Sequence, residues 1–117
     1  MTLRSALGKA EASFDMNEVL LFNNILNEVC NAFAMADFEL RMGATENQVR
    51  DLLNRIRTLE TDRPVRIQLA ERELLILQSA LRETLEELGD EEFSVRTGLS
   101  FEFGKAALKE LQVGDSR

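Results

Sequence analysis

Apolar residues recur every three to four positions along two stretches of the chain, with polar residues between them. This spacing predicts two long amphipathic helices, over residues 16–33 and 70–88. Additional apolar residues widen both stripes: Leu20, Leu21, Ile25 and Cys30 in the first, and Leu75 and Ile76 in the second. Each apolar face is therefore broader than a surface helix needs, so we expect the two helices to pack against each other, a partner chain, or both.

The chain repeats itself at a distance of 55 residues. Residues 17–57 align with 72–112 without a gap, and eight of the 41 aligned pairs are identical. Random pairing would give roughly one identity in 15. The identical pairs are Glu18/Glu73, Leu20/Leu75, Leu26/Leu81, Glu28/Glu83, Phe38/Phe93, Arg41/Arg96, Gly43/Gly98 and Leu53/Leu108. We interpret this as a tandem duplication, which predicts two similar units around a pseudo-twofold axis.

Each copy contains a glycine that should end a short helix. Gly43 and Gly98 both follow an Arg by two positions and a Phe by five. Glycine adopts the left-handed conformation of a helix end without steric cost. Thr45 and Ser100 then provide hydroxyl caps for a third helix in each copy, over residues 45–57 and 100–112.

Short extended segments precede the two long helices. Residues 10–14 and 65–69 alternate between apolar and polar positions, so they predict a minor two-stranded antiparallel pair. The residues before the first segment are ambiguous, since Leu3, Ala6, Leu7 and Ala10 are spaced as on a helix. Asp15 with Glu18, and Thr45 with Gln48, form capping-box pairs at two helix starts.

The predicted fold is mainly α: two copies of a long, a short and a third helix. A chain of 117 residues is enough for one domain with a modest core. That domain consists of two repeats, 10–57 and 65–112, joined by residues 58–64. Because the apolar faces are too wide for one small domain, we expect a homodimer.

Composition argues against catalysis. The chain has no His and a single Cys, so the common neutral-pH proton shuttle and a cysteine zinc site are both missing. We therefore expect no enzyme activity, no cofactor and no metal centre. No apolar run approaches the length that crosses a membrane, and the first residues lack a secretory signal. These features predict a cytoplasmic protein without a membrane partner.

An acidic run covers the end of the second long helix and the residues just after it, and contributes to a net charge of −7. Its members are Glu83, Glu86, Glu87, Asp90, Glu91 and Glu92. Three interpretations stay open: a solvated helix end, which we favour, a carboxylate pair sharing a hard cation, and a docking patch for a basic partner.

Duplicated charged residues accompany the duplicated glycines. Glu28 and Arg41 recur as Glu83 and Arg96. We expect each arginine to hold its short helix against the long one, through the glutamate or through helix-end carbonyls, because the planar guanidinium suits such contacts. Together with Gly43 and Gly98, these residues are the predicted structural ties of the repeat.

Two segments resemble the helix-turn-helix DNA-binding unit. Residues 35–54 and 90–109 place Gly43 and Gly98 at the ninth position, where that motif has glycine. The resemblance implies a transcriptional regulator, with the first copy contacting DNA through Asn47, Gln48, Arg50, Arg55 and Arg57. The negative charge of the chain disfavours a phosphate backbone, so this function is the alternative.

Phe101 and Phe103 distinguish the second copy from the first, which has Glu46 and Gln48 at the matching positions. Two phenylalanines there predict that this helix is covered by Leu3 and Leu7 of the same chain, by another subunit or by a target protein. The favoured function is non-enzymatic protein–protein interaction, of a regulatory, adaptor or immunity type. The predicted partner-binding residues are Phe101, Phe103, Glu83, Glu86, Glu87 and Asp90.

Overall fold

The computed structural model describes residues 1–6, 8–32, 34–59 and 63–115. In this part of the chain, five α-helices surround a core that is closed on one side by a three-stranded antiparallel sheet. The strands are β1 (Thr2–Ala6), β2 (Lys9–Phe14) and β3 (Val65–Ala70). The helices are α1 (Met16–Asn27), α2 (Phe38–Met42), α3 (Glu46–Arg57), α4 (Glu71–Thr97) and α5 (Phe101–Asp115). The mainly helical class is therefore confirmed.

The sheet has the strand order β1-β2-β3, and β2 and β3 form the antiparallel pair predicted for 10–14 and 65–69. Their register places Ala12 opposite Ile67. Two of the three inward positions of β2 are small, Ala10 and Ala12, and Ala12 is fully buried. Because small side chains stand on the central strand, α1 and α4 can approach the sheet closely.

The third strand, β1, was not predicted, since the spacing of Leu3 and Ala6 suits a helix. It pairs antiparallel with β2, with Leu3 opposite Ala12. Gly8, between the two strands, has a φ of 77°, a value that glycine adopts without strain. Leu7, which shared the helical spacing, lies outside the described residues. The α-amino group of Met1 lies 3.1 Å from Glu18 Oε2 and thereby holds β1 against α1.

The first long helix is shorter and less regular than predicted. Asp15 and Glu18 form the predicted capping box, with both hydrogen bonds 2.9 Å long. After Asn27 the helix widens into a π-helical turn, Glu28–Ala32. Phe33, the predicted end, lies outside the described residues. Asp37 then takes the left-handed conformation, φ 55°, immediately before α2.

The predicted glycine stops are confirmed. Gly43 ends α2 with φ 70°, and Gly98 ends α4 with φ 76°. The long and short helices predicted for the second copy form one element, α4, which Gly89 interrupts with a non-helical φ of 71° and ψ of −174°. The capping box of Thr45 and Gln48 begins α3 as predicted.

The wide apolar stripes are largely buried within this one chain. Leu21, Ile25 and Ile76 are at most 1 % exposed. The core joins α1, α4 and the sheet, and Phe14 packs on Phe22 with ring centroids 4.8 Å apart. The stripe residues that stay 41–47 % exposed are Met16, Leu20 and Leu75. No helix among the described residues combines the length and apolar character that a bilayer-spanning segment requires.

Candidate functional site

Two reciprocal ion pairs are among those that connect residues 10–57 with residues 65–112. Arg41 of α2 donates to both carboxylate oxygens of Glu83 on α4, at 3.0 and 2.7 Å. Arg96 of α4 donates from Nη1 to Glu28, at 3.2 Å. Both glutamates are buried. Each arginine therefore bonds to the glutamate of the opposite half rather than to the one in its own half.

Hydrogen bonding to the paired carboxylates, and then their charge, raises the pKa of Arg41 and of Arg96. Both guanidinium groups thus stay charged, as a buried carboxylate needs for compensation. These ties fix α2 on α4, and the last turns of α4 on the end of α1. In this way, they position the segment between α1 and α2.

Several backbone irregularities lie within residues 28–32 and 34–42: the π-helical turn, the left-handed Asp37 and the five-residue helix α2. Arg50 of α3 supports the turn by donating to the carbonyl oxygen of Cys30 at 2.9 Å. This bond satisfies one of the carbonyls that a helix end leaves without a partner. π-Helical turns are frequent at functional sites, which makes this segment a candidate site.

Two hollows in this segment include Met35 in their lining. The smaller, about 40 Å³, is lined by Ala34, Met35, Arg41, Glu83 and Glu87. The larger and more open, about 270 Å³, is lined by Val29, Met35, Phe38, Glu39 and Glu46. We call the combined surface the Met35 groove. Its lining includes the apolar side chains of Val29, Met35 and Phe38, which we call its apolar floor, and four carboxylates, which we call its rim.

The carboxylates of the rim differ in their availability. Glu83 forms an ion pair with Arg41, and Glu46 lies 3.5 Å from Arg50. Glu39 and Glu87 are exposed, and no ion pair engages them within the described part of the chain. The groove is therefore a negatively charged surface around half-buried Met35 and Phe38.

A further apolar side chain lies beside the groove. Leu40, in α2 between two groove residues, is 83 % exposed. Its counterpart 55 positions later, Val95, is 78 % exposed. Isolated exposed leucines are common on protein surfaces. Leu40 lines neither hollow and is not part of the groove.

The predicted contact residues Phe101 and Phe103 lie elsewhere, on α5, and line neither hollow. Both are half-buried against the core. Phe101 packs edge-on against Phe93 with centroids 5.9 Å apart, and Lys105 Nζ lies 5.2 Å from its ring centroid. Strand β1 lies against α5, and Leu3 is also half-buried against the core.

The acidic run divides into buried and exposed members. Glu83 is buried in its ion pair, whereas Glu86, Glu87 and Asp90 are exposed. Glu92 pairs with Arg96 at 3.3 Å. Within the described ranges, no three carboxylate, thiol or imidazole groups converge on a position for a metal ion.

Several of the residues predicted for DNA contact have intramolecular partners. Gln48 caps its own helix through Thr45, and Arg50 bonds to Cys30. Arg55 pairs with Glu73 and donates to the carbonyl oxygen of Gln68 at 2.8 Å. Asn47 and Arg57 are exposed.

The sequence reasoning overlooked the apolar floor of the groove. The sequence pattern assigns Val29 to the first apolar stripe and Phe38 to the repeat, and it does not single out Met35. The convergence of the three depends on the turn between two helices, which a pattern along the chain does not contain. One signal was present, since Met35 and Val29 correspond to Asp90 and Thr84 in the second copy. Positions with an apolar residue in one copy and a polar residue in the other were therefore informative beyond Phe101 and Phe103.

Comparison of the chain with protein-family models, with curated proteins and with solved structures returned no match.

Proposed function

We propose that this protein is a non-enzymatic interaction protein whose Met35 groove binds a basic partner. The partner presents an apolar side chain, flanked by Lys or Arg, to Met35 and Phe38. The observation that supports this proposal is the apolar floor with carboxylates on its rim. A regulatory, adaptor or immunity-type role is compatible with such binding, and we propose the cytoplasm as its location, because a buried free thiol suits a reducing compartment.

The chemistry of the groove favours this class of partner. Burying one Leu- or Met-sized side chain contributes roughly 1.5–3 kcal/mol. The exposed carboxylates Glu39 and Glu87 add specificity and speed of association, because opposite charges steer encounter more than they raise affinity. A neutral or acidic apolar segment would leave the rim carboxylates without partners. The groove should therefore select basic residues beside the apolar one.

A peptide selection tests the proposal without a known partner. Peptides that bind the immobilised full chain are selected from a random library. We expect the enriched sequences to carry a large apolar residue beside Lys or Arg. Binding of one selected peptide should weaken as salt rises, because exposed charge pairs are screened. Amide shifts of the labelled protein should map its contact to residues 28–46 and 83–87.

Matched variants sharpen the test. Glu87→Gln should weaken the binding of the selected peptide about two- to fivefold, as expected for loss of an exposed ion pair. Glu102→Gln removes the same charge from α5, far along the chain from the groove residues, and should leave affinity unchanged. Enriched peptides without basic residues, or shifts confined to α5, would contradict the proposal. Saturable retardation of duplex DNA would instead support the helix-turn-helix alternative.

We also propose that the halves 10–57 and 65–112 descend from one duplicated unit, arranged about a pseudo-twofold axis. The reciprocal ion pairs support this, since Arg41 bonds to Glu83 just as its counterpart bonds to Glu28. The strand register supports it as well, because Ala12 faces its own counterpart, Ile67. Leu20 and Leu75, which are 55 positions apart, are also exposed to a similar extent, 41 % and 43 %.

A homodimer stays a proposal, supported by the exposed side chains of Met16, Leu20 and Leu75. These residues are what remains of the wide apolar faces after folding. Light scattering coupled to size exclusion should give twice the chain mass for wild type. The double variant Leu20→Ser/Leu75→Ser should give the monomer mass, and a monomeric wild type would reject this proposal.

A further inference from the structure

The outer face of the sheet carries a row of polar side chains that the proposed function does not use. The strand register places Ser13 between Thr2 and Arg66, and Glu11 between Arg4 and Gln68. Side chains that point away from the core alternate with the buried ones along each strand. Thr2, Arg4, Glu11 and Arg66 are exposed, and Ser13 is half-exposed.

These side chains surround a shallow hollow of about 190 Å³, lined by Thr2, Arg4, Glu11, Ala12, Ser13 and Arg66. Strand spacing puts the Cα atoms of Arg4 and Arg66 roughly 12 Å apart, diagonally across β2. Two long guanidinium side chains can therefore reach one ligand from opposite sides. Ser13 and Glu11 of β2 lie between the two arginines, and Thr2 lies beside Ser13 on β1.

Both arginines are available for a ligand. The net charge of the chain is −7, and arginines elsewhere, such as Arg41 and Arg96, are held in ion pairs. By contrast, neither Arg4 nor Arg66 has a hydrogen bond or ion pair to another described residue. Guanidinium groups bind phosphate oxygens in a planar, bidentate geometry.

Glu11 limits what the hollow accepts. Its carboxylate lies opposite Arg4 in the sheet and repels a bare phosphate, but it can accept a hydrogen bond from a hydroxyl on the molecule that carries the phosphate. The outward positions of β2 and β3 hold no aromatic side chain, so nucleic-acid bases find no stacking surface.

We propose that the outer face of the sheet binds a small phosphorylated molecule with a hydroxyl group beside its phosphate, such as a sugar phosphate. Arg4 and Arg66 hold the phosphate, Thr2 and Ser13 donate to its oxygens, and Glu11 accepts from the adjacent hydroxyl. The site is independent of the Met35 groove.

The test is an amide-shift titration of the full chain with three probes at constant ionic strength: inorganic phosphate, glucose 6-phosphate and glucose. We expect saturable shifts in β1, β2 and β3 with both phosphates, several-fold tighter binding of glucose 6-phosphate, and no saturable shift with glucose. Shifts that rise linearly, or that sodium chloride reproduces, would overturn the proposal. So would tighter binding of oligothymidylate than of glucose 6-phosphate.

Three variants separate the roles of the residues. Arg66→Gln should weaken the binding of glucose 6-phosphate about fivefold or more, as expected for loss of a charge-assisted bond. Arg72→Gln, which removes an exposed charge from the start of α4, should leave affinity unchanged. Glu11→Gln should tighten the binding of inorganic phosphate and reduce the preference for the sugar phosphate. Equal effects of Arg66→Gln and Arg72→Gln would overturn the proposal, because they would indicate general charge attraction.

Discussion

At the scale of single residues, Cys30 shows how burial sets reactivity. Cys30 is 7 % exposed, and burial raises the pKa of its thiol, although the charge of Arg50 opposes that rise. A raised pKa lowers the fraction of reactive thiolate at neutral pH. We expect folded protein to react with an alkylating reagent several-fold more slowly than the same chain in urea, measured by mass spectrometry. Equal rates in the two states would contradict this.

Gly104 is the residue at which helix propensity and packing disagree. A Cβ built there would lie 2.6 and 2.9 Å from ring atoms of Phe93 and 3.1 Å from Leu85 Cδ2. Alanine is favoured over glycine in a helix by about 1 kcal/mol, but overpacking a core costs about 1–3 kcal/mol. Since an aromatic ring packed in the core cannot move aside, we expect Gly104→Ala to lower the free energy of unfolding.

A double variant provides the control for Gly104→Ala. Phe93→Leu removes ring atoms that the new methyl group would meet, so the pair Phe93→Leu/Gly104→Ala should destabilise less than the sum of the single changes. Denaturant unfolding measures this coupling. Strict additivity would show that the two side chains do not compete for space.

At the scale of elements, Arg55 closes the outer edge of the sheet. From the end of α3 it donates to the carbonyl of Gln68 in β3 and pairs with Glu73, while Glu73 accepts from the amide of Ala70 at 2.8 Å. Arg55→Met keeps much of the apolar stem but exposes this edge, and unpaired edges promote association. We expect a loss of about 1 kcal/mol and concentration-dependent light scattering. Arg57→Met, two residues further along α3, should change neither the stability nor the light scattering.

The elements also show which features the sequence could predict. The helices, the β2–β3 pair and both glycine stops follow from local patterns, because spacing, capping and turn chemistry are properties of neighbouring residues. Strand β1 did not, since Leu3 and Ala6 satisfy helical spacing, and pairing with β2 decided their conformation. The π-helical turn and the Met35 groove depend on how Arg50 and Glu83 pack from other elements, which a pattern along the chain does not contain.

At the scale of the whole molecule, the reciprocal ion pairs hold the halves together. Arg41→Gln and Arg96→Gln should each lower Tm by several degrees, because each leaves a buried glutamate without its charged partner. Arg41→Gln should cost more, since Arg41 makes two bonds to Glu83, whereas Arg96 makes one to Glu28 and is shared with Glu92.

Calorimetry of the two variants measures this difference. The exposed Arg72, changed to Gln, provides the control and should leave Tm nearly unchanged. If either ion-pair variant melted at the wild-type temperature, that arginine would not hold the halves together. The same measurement bears on the proposed duplication, since equivalent residues should have equivalent structural roles.

The most direct measurement of the central claim is the dissociation constant of one selected basic peptide, determined for two variants that stay folded. The account predicts that Met35→Ser weakens binding about tenfold through loss of the apolar floor, whereas Phe103→Ser on α5 leaves it unchanged. The reverse result, with affinity lost at Phe103 and retained at Met35, would contradict binding in the groove and place the partner on α5.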